Sequence, residues 1–210
     1  MNAVSKLFYW LRGKVLEHNG ERKISQLKDG NYKLFYDIPY VSQYESDDLF
    51  WAQKLCGMAC FKMILLSLGC PTPKLVELGG SAMETGCYKK DPKDPMKLIG
   101  MLHVPFLKFT EKYGLSGKLI WHIGASAVAG EVLKNNFVVA SVSSQIGHMR
   151  MRPASKEGHL VLVHGFKVSG GSFCNGGRFY ALFFGQDYYP LETIVLLYLY
   201  GTIFNRGFGV

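Results

Sequence analysis

The chain has 210 residues, of which 48% are apolar and 14% aromatic, and its formal net charge is +8 at pH 7. This length predicts one domain with a small N-terminal extension, and the apolar and aromatic content argues against a disordered chain. An apolar run over residues 193–205 is too short to span a bilayer, so it predicts buried strands and no membrane segment.

The cysteines and the N-terminus predict a cytoplasmic protein. The first 15 residues mix basic and apolar side chains, without the apolar block or small-residue cleavage site of a secretory signal. Five cysteines, an odd number, then predict reduced thiols in a cytosol. Cys56 and Cys60 are four residues apart and no paired histidine follows at finger spacing, so a zinc site is not expected.

The basic residues are concentrated in three segments, the first 35 residues, residues 89–97 and residues 150–156. A basic surface attracts acidic partners through its long-range field. The sequence holds no nucleic-acid-binding motif of the usual kinds, so an acidic carrier protein is the preferred partner. A solvated face without a specific partner is the alternative.

The front half is predicted to be mainly helical. Apolar spacing over 2–18 predicts an amphipathic helix in an N-terminal extension of residues 1–30. Alternation within 30–43 predicts a strand. The clearest helix covers 56–68 and ends at Gly69. The remaining front-half predictions are a loop over 86–95, a helix over 96–113, a short strand over 118–122 and a helix over 125–135.

The back half is predicted to consist of strands, which Gly-Gly pairs at 170–171 and 176–177 separate. The strands are expected over residues 137–142, 159–166, 178–184 and 193–200. A helical front half followed by an antiparallel β half predicts an α+β fold with segregated layers, in a main domain of residues 31–210.

Cys56 is the first candidate for chemistry, because it is predicted at the N-terminal end of its helix. The unpaired backbone N–H groups there carry partial positive charge, which favours the nucleophilic thiolate. Gly57 allows a substrate backbone to approach closely. A cysteine that opens an apolar helix is also a common core residue, so its position alone leaves both interpretations open.

His159 and Asn175 are the second and third candidates. His159 stands at the mouth of a strongly apolar strand, where a rigid backbone and an accessible ring suit a general base. Asn175 follows 16 residues later. A turn and a returning strand would bring its side-chain oxygen to the imidazole N–H. An ordinary turn asparagine before Gly-Gly is the alternative for Asn175, and His164 is assigned to packing.

Together these segments resemble the papain clan of cysteine peptidases. The resemblance rests on IPYVSQ at 38–43, on Cys56-Gly57 opening a helix, and on GHLVLV at 158–163 followed by Gly165. Residues 205–210 are similar to a final strand of the relatives. The most similar branch holds the bacteriocin-processing, double-glycine peptidases and their stand-alone relatives. The resemblance implies a papain-like fold, with a nucleophile-bearing helix packed on a C-terminal antiparallel sheet.

The resemblance also implies the site. Cys56 would be the nucleophile, His159 the base and Asn175 the residue that orients the base. Gln43 matches the family glutamine whose amide forms the oxyanion hole with the Cys56 N–H. Gln53, which is nearer to Cys56 in sequence, is the competing candidate.

Two departures from the family pattern affect these assignments. Met58 stands where many relatives have proline, and Asn175-Gly176 replaces the more usual Asn-Pro or Asp-Pro. Asp187 is therefore kept as the second candidate for the residue that orients His159.

Two reactions share the same acyl-enzyme, peptide hydrolysis and amide synthesis from a thioester. The basic surface and the lack of a secretion signal, propeptide or export domain favour synthesis, as in closthioamide-type amide synthases, which the chain resembles in size and layout. The donor would be a phosphopantetheine thioester on an acidic carrier protein, and the acceptor a small amine. A thioester needs no ATP and no phosphate-binding loop is visible, so no cofactor or metal is expected. A degenerate binding protein would have lost Cys56 or His159, and both are present.

Overall fold

The computed structural model describes ten segments of the chain, residues 22–26, 32–36, 38–45, 48–121, 125–134, 136–143, 158–169, 178–183, 186–190 and 200–205. These segments fall into two compact units. The first, called the helical unit, is Ile38–Gly117, and the second, called the sheet unit, is Glu21–Asp37 with Lys118–Asn205.

The described chain contains both helices and antiparallel strand pairs, which confirms the predicted α+β class. In chain order the elements are β1 (Arg22–Gln26), β2 (Tyr32–Tyr36), α1 (Leu49–Ala52), α2 (Cys56–Ser67), α3 (Leu75–Glu84), β3 (Lys89–Asp91), β4 (Asp94–Ile99), α4 (His103–Glu111), β5 (Ser116–Ile120), α5 (Ala125–Leu133), β6 (Phe137–Ser143), β7 (Gly158–Ser169), β8 (Arg178–Phe183), β9 (Gln186–Pro190) and β10 (Tyr200–Asn205). Among the described helices, none is long and apolar enough to cross a membrane.

Helix α2 is the core of the helical unit. Nearly every residue from Gly57 to Ser67 is buried, as expected of a helix that is apolar all round. The Phe61 ring lies edge-on to the rings of Phe106 and Phe109, at centroid distances of 5.9 and 5.7 Å. Edge-on aromatic pairs add to the stabilisation that burial alone provides. The helix that bears Cys56 is therefore fixed by the packing of the whole unit.

The end of α2 confirms the predicted stop at Gly69. Gly69 has a φ of 69°, the left-handed conformation that glycine adopts without steric cost. Its N–H donates to the Leu66 carbonyl and the Cys70 N–H donates to the Leu65 carbonyl, both at 2.9 Å. This pair of bonds is a Schellman cap.

The sheet unit is built around β7, which pairs antiparallel with β6, β2 and β8. The strand order is β1-β2-β7-β6-β10-β5, and β8 joins β7 to β9. Strand β6 is a buried apolar run, and the buried side chains of α5 include Val128, Ala129 and Val132. The Tyr36 hydroxyl at the end of β2 donates to the Val132 carbonyl at 2.7 Å, which ties the sheet to α5.

The segment predicted as a loop over 86–95 and the start of a helix at 96 is instead the hairpin β3–β4. Lys90 pairs with Leu98, and Asp91 with Asp94. The Asp91 side chain accepts the Lys93 N–H at 2.8 Å, which satisfies the tight turn locally. The helical prediction over 96–113 is correct only for α4, because the chain is extended up to Ile99.

Two further elements differ from the predictions. Residues 22–26, assigned to a helical extension, form β1 and pair with β2, so this part of the extension belongs to the sheet. Helix α3 was not predicted, because Gly79-Gly80 weakens its helical pattern. The predicted helix over 2–18 lies outside the described residues. Of the final strand over 205–210 and of the predicted strand over 193–200, only residues 205 and 200 are described.

Candidate active site

Cys56 is the first residue of α2 and is half-buried. The first hydrogen bond of the helix runs from the Ala59 N–H to the Leu55 carbonyl, at 2.7 Å. Leu55 occupies the N-cap position and has no side-chain oxygen. It therefore cannot accept a hydrogen bond from the N–H groups in the first turn of the helix. The positive end of the helix dipole therefore acts at the thiol of Cys56.

The other described cysteines have a different environment. Cys60, Cys70 and Cys87 are buried and, like Cys56, form no disulfide in the described part of the chain. Burial raises the pKa of the Cys60, Cys70 and Cys87 thiols, because a buried thiolate loses its hydration. For Cys60, a charge on Cys56 raises the pKa further. Cys56 is thus the most accessible of the described thiols.

The turn that leads into Cys56 is held by Tyr88 and Gly79. The Tyr88 hydroxyl donates to the Lys54 carbonyl at 3.1 Å, and its ring lies edge-on to Trp51 at a centroid distance of 5.8 Å. A Cβ on Gly79 of α3 would lie 2.7 Å from Leu55 Cδ2 and 3.1 Å from Trp51 Cζ3. Only glycine lets α3 approach so closely, and this approach fixes the segment between α1 and α2.

Gln43, the predicted oxyanion residue, lies in a tight turn of residues 42–45. The Glu45 N–H donates to the Ser42 carbonyl at 3.1 Å, and the Tyr44 N–H donates to the Ser42 hydroxyl at 3.2 Å. Gln43 is half-buried, whereas Gln53 follows α1 and is exposed. A half-buried amide in a defined turn is better suited to donate to a substrate than an exposed one, which favours Gln43.

A part-buried ion pair joins this turn to α2. Lys62 Nζ lies 2.8 Å from Glu45 Oε1 and 2.9 Å from Oε2. The Lys62 side chain is 11% exposed and that of Glu45 47%. Neither residue of this pair is among the predicted site residues, although a lysine inside an otherwise apolar helix is a visible signal that a carboxylate lies nearby.

His159 is the second residue of β7 and pairs with Val142 of β6. It is half-buried, and burial lowers its pKa because the imidazolium form loses hydration. The imidazole is therefore neutral near pH 7, the form that can accept a proton. Next to it, a Cβ on Gly158 would lie 3.2 Å from the Ser141 hydroxyl, so glycine lets β7 begin close to β6.

His164 sits where the register of β7 against β8 shifts, between Val163 and Gly165. Its Nδ1 lies 3.3 Å from the Tyr36 carbonyl oxygen, and the residue is half-buried. This local contact supports the prediction that His164 has a packing role.

The third member of the triad stays a prediction. Asn175 lies outside the described residues, and Asp187 is on β9, where only the backbone is described. Cys56 and Gln43 belong to the helical unit and His159 to the sheet unit, so their meeting in one site also stays a prediction. Within the described segments, no group of three or more His, Cys, Asp or Glu residues could hold a metal ion.

Comparison with known proteins gives one match. No curated protein and no solved structure matches the chain. The model of the Peptidase_C39 like family matches residues 35–177, a span that includes Gln43, Cys56, His159 and Asn175 and ends before Asp187. The match supports cysteine peptidase-type chemistry and the predicted papain-like α+β class. With about two thirds of its length matched, the chain belongs to the Peptidase_C39 like family.

Proposed function

We propose that the protein is a cysteine acyltransferase that forms an acyl-enzyme on Cys56 and passes the acyl group to an amine. The observation that carries this proposal is the position of Cys56, half-buried at the first residue of α2, while the other described thiols are buried and have raised pKa values. Peptidases of this chemical type form the same acyl-enzyme, so family membership supports the first half of the reaction.

The first half-reaction needs a base and an oxyanion hole. The neutral imidazole of His159 takes the proton of the Cys56 thiol, and the sulfur attacks the acyl carbonyl. The Gln43 amide and the Cys56 N–H donate to the oxyanion of the tetrahedral intermediate. When the intermediate collapses, the leaving group takes the proton from the imidazolium, and the acyl group remains on Cys56 as a thioester. Asn175 orients the imidazole, with Asp187 as the alternative.

The second half-reaction decides between synthase and peptidase. A neutral amine attacks the Cys56 thioester, His159 takes one proton from its nitrogen, and collapse releases an amide and the protonated thiol. When the donor is itself a thioester, the first step exchanges one thioester for another, and amide formation then runs downhill without ATP. The same sequence with water as the acceptor, and a peptide as the donor, is hydrolysis by a cysteine peptidase.

The charge of the β3–β4 hairpin supports a carrier protein as the donor. Its exposed lysines are Lys89, Lys90, Lys93 and Lys97. Two acidic residues lie among them, and Asp94 pairs with Lys97 at 3.1 Å, which leaves a net positive face. Phosphopantetheine carrier proteins are acidic, and a basic face would raise their association rate. The proposed setting is natural-product biosynthesis with a small amine as acceptor.

The test uses an acyl carrier protein loaded with an acyl-phosphopantetheine thioester, a diamine and the purified protein. Mass spectrometry follows the amide and the free acid. We expect amide with wild type, a loss of about 10³-fold or more with Cys56→Ala, and near-normal turnover with Cys70→Ala, which removes a buried thiol. Free acid alone, with or without amine, would favour the peptidase, and turnover that survives Cys56→Ala would exclude both enzymes. No turnover of thioesters or peptides by wild type would favour a peptidase-fold binding protein.

The same assay tests the hairpin. Lys89→Glu with Lys90→Glu should raise KM for the carrier and leave turnover of a small, uncharged thioester unchanged. The increase in KM should shrink as salt rises, because these are exposed charges. An unchanged KM at low salt would exclude the hairpin as the docking face.

A further inference from the structure

Lys62 is a charged residue at a core position. It lies in the middle of α2 between Phe61 and Met63, both of which are buried, and its own side chain is only 11% exposed. A buried ammonium group is unfavourable unless a partner compensates for its lost hydration. An apolar residue would fill this position on an apolar helix without that requirement. The charge at residue 62 is therefore explained by its partner.

The partner is Glu45, which holds the ammonium with both carboxylate oxygens, at 2.8 and 2.9 Å. Glu45 closes the turn of residues 42–45 through its N–H bond to the Ser42 carbonyl. Gln43 lies inside this turn. The ion pair thus attaches the turn that contains Gln43 to the helix that begins at Cys56. Along the helix axis, Lys62 lies about 9 Å from Cys56.

We propose that Lys62 and Glu45 are a positioning pair that holds Gln43 in place as an oxyanion donor. This inference rests on the proposed function, because it gives Gln43 and Cys56 their proposed roles. An oxyanion donor is effective only when its distance from the developing charge is fixed before the reaction begins. The two residues of the pair are 17 positions apart in sequence. The ion pair therefore attaches a loop to a rigid helix that is not its immediate neighbour in the chain.

The alternative is an ion pair with a purely structural role. Two reactions of the Cys56 thiol distinguish this role from the positioning role. Acylation of Cys56 by p-nitrophenyl acetate passes through a tetrahedral oxyanion. Alkylation of Cys56 by iodoacetamide is a direct displacement at a saturated carbon and forms no oxyanion. A positioning pair affects only the first reaction, whereas general loosening of α2 affects both.

The variants are Lys62→Met, Glu45→Gln, Gln43→Ala and the double variant Gln43→Ala/Lys62→Met. Lys134→Met is the matched control, because Lys134, which follows the last residue of α5, forms an ion pair with Glu131 at 3.0 Å. Thermal unfolding is measured for each. Glu45 is half-exposed, so Glu45→Gln carries the test if Lys62→Met fails to fold.

We expect Gln43→Ala to slow acylation by about 10²-fold and each ion-pair variant by about 10-fold or more, with alkylation changed less than about twofold. Adding Lys62→Met to Gln43→Ala should slow acylation no further, because the pair acts through Gln43. Normal acylation in Glu45→Gln, equal losses in both reactions, or losses that multiply in the double variant would overturn the positioning role. Failure of the proposed function would give a different result: p-nitrophenyl acetate would be turned over equally well in Cys56→Ala.

Discussion

The contact of Gly79 with the segment before Cys56 yields a prediction with a control on the next residue. A Cβ at position 79 would lie 2.7 Å from Leu55 Cδ2, closer than real Cβ atoms approach, and 3.1 and 3.2 Å from two carbons of Trp51. Leu55 is fully buried, and Trp51 is packed against Tyr88. Both side chains are buried, so a movement of either one would disturb its other contacts.

Two opposing terms set the magnitude for Gly79→Ala. Replacing glycine by alanine inside a helix is favourable by about 1 kcal/mol. Overpacking a core by one methyl group costs about 1–3 kcal/mol. Gly80 is on the same helix and has nothing within 4 Å of its Cβ position, so Gly80→Ala keeps only the favourable term. The free energy of unfolding should therefore be about 1–3 kcal/mol lower for Gly79→Ala than for Gly80→Ala.

The assay is thermal unfolding of both variants beside wild type. For a chain of this size 1 kcal/mol corresponds to about 2–4 °C, so Tm should be lower in Gly79→Ala than in Gly80→Ala by roughly 2–12 °C. Displacement of Leu55 should also move the start of α2 and slow iodoacetamide alkylation of Cys56 in Gly79→Ala alone. Equal Tm values in the two variants would refute the close approach of α3 to this segment.

Two further predictions concern Tyr88 and His159. Tyr88→Phe removes the hydroxyl that donates to the Lys54 carbonyl, so we expect about 1 kcal/mol less stability and slower alkylation of Cys56; normal values of both would contradict its role. Burial lowers the pKa of His159, so kcat/KM should rise with pH through a value below about 6.5, as the imidazolium loses its proton. Burial also lowers the pKa of His103, yet His103→Gln should leave that rise in place; an acid limb that moves with His103 would contradict the assignment of His159 as the base.

The features that local patterns could predict are those whose causes are local. The helix over 56–68 follows from an apolar run with a glycine stop, and it is found as α2 with a Schellman cap. The strand predicted over 159–166 lies within β7. It could be predicted because a strand buried on both faces appears in the sequence as a continuous apolar run. The position of Cys56 at a helix start could be predicted for the same reason.

The features that could not be predicted depend on contacts between distant residues. Helix α3 contains Gly79-Gly80, which weakens a helical pattern, and it is the packing of Gly79 on Leu55 and Trp51 that explains the glycine. The ion pair of Lys62 with Glu45 joins a loop to a helix, and no periodicity in the sequence specifies such a pair. The oxyanion role of Gln43, with Gln53 as the competing candidate, stays a prediction that rests on the family resemblance.

The location of Cys56 on a core helix ties its reactivity to folding. The residues that follow it in α2 are almost all buried, so this helix persists only when the surrounding core has formed. The helix dipole at the thiol therefore disappears together with the tertiary structure. A newly made or damaged chain would carry an ordinary thiol at residue 56. Loss of the tertiary structure would thus remove the reactivity of this thiol even where the backbone around it stays intact.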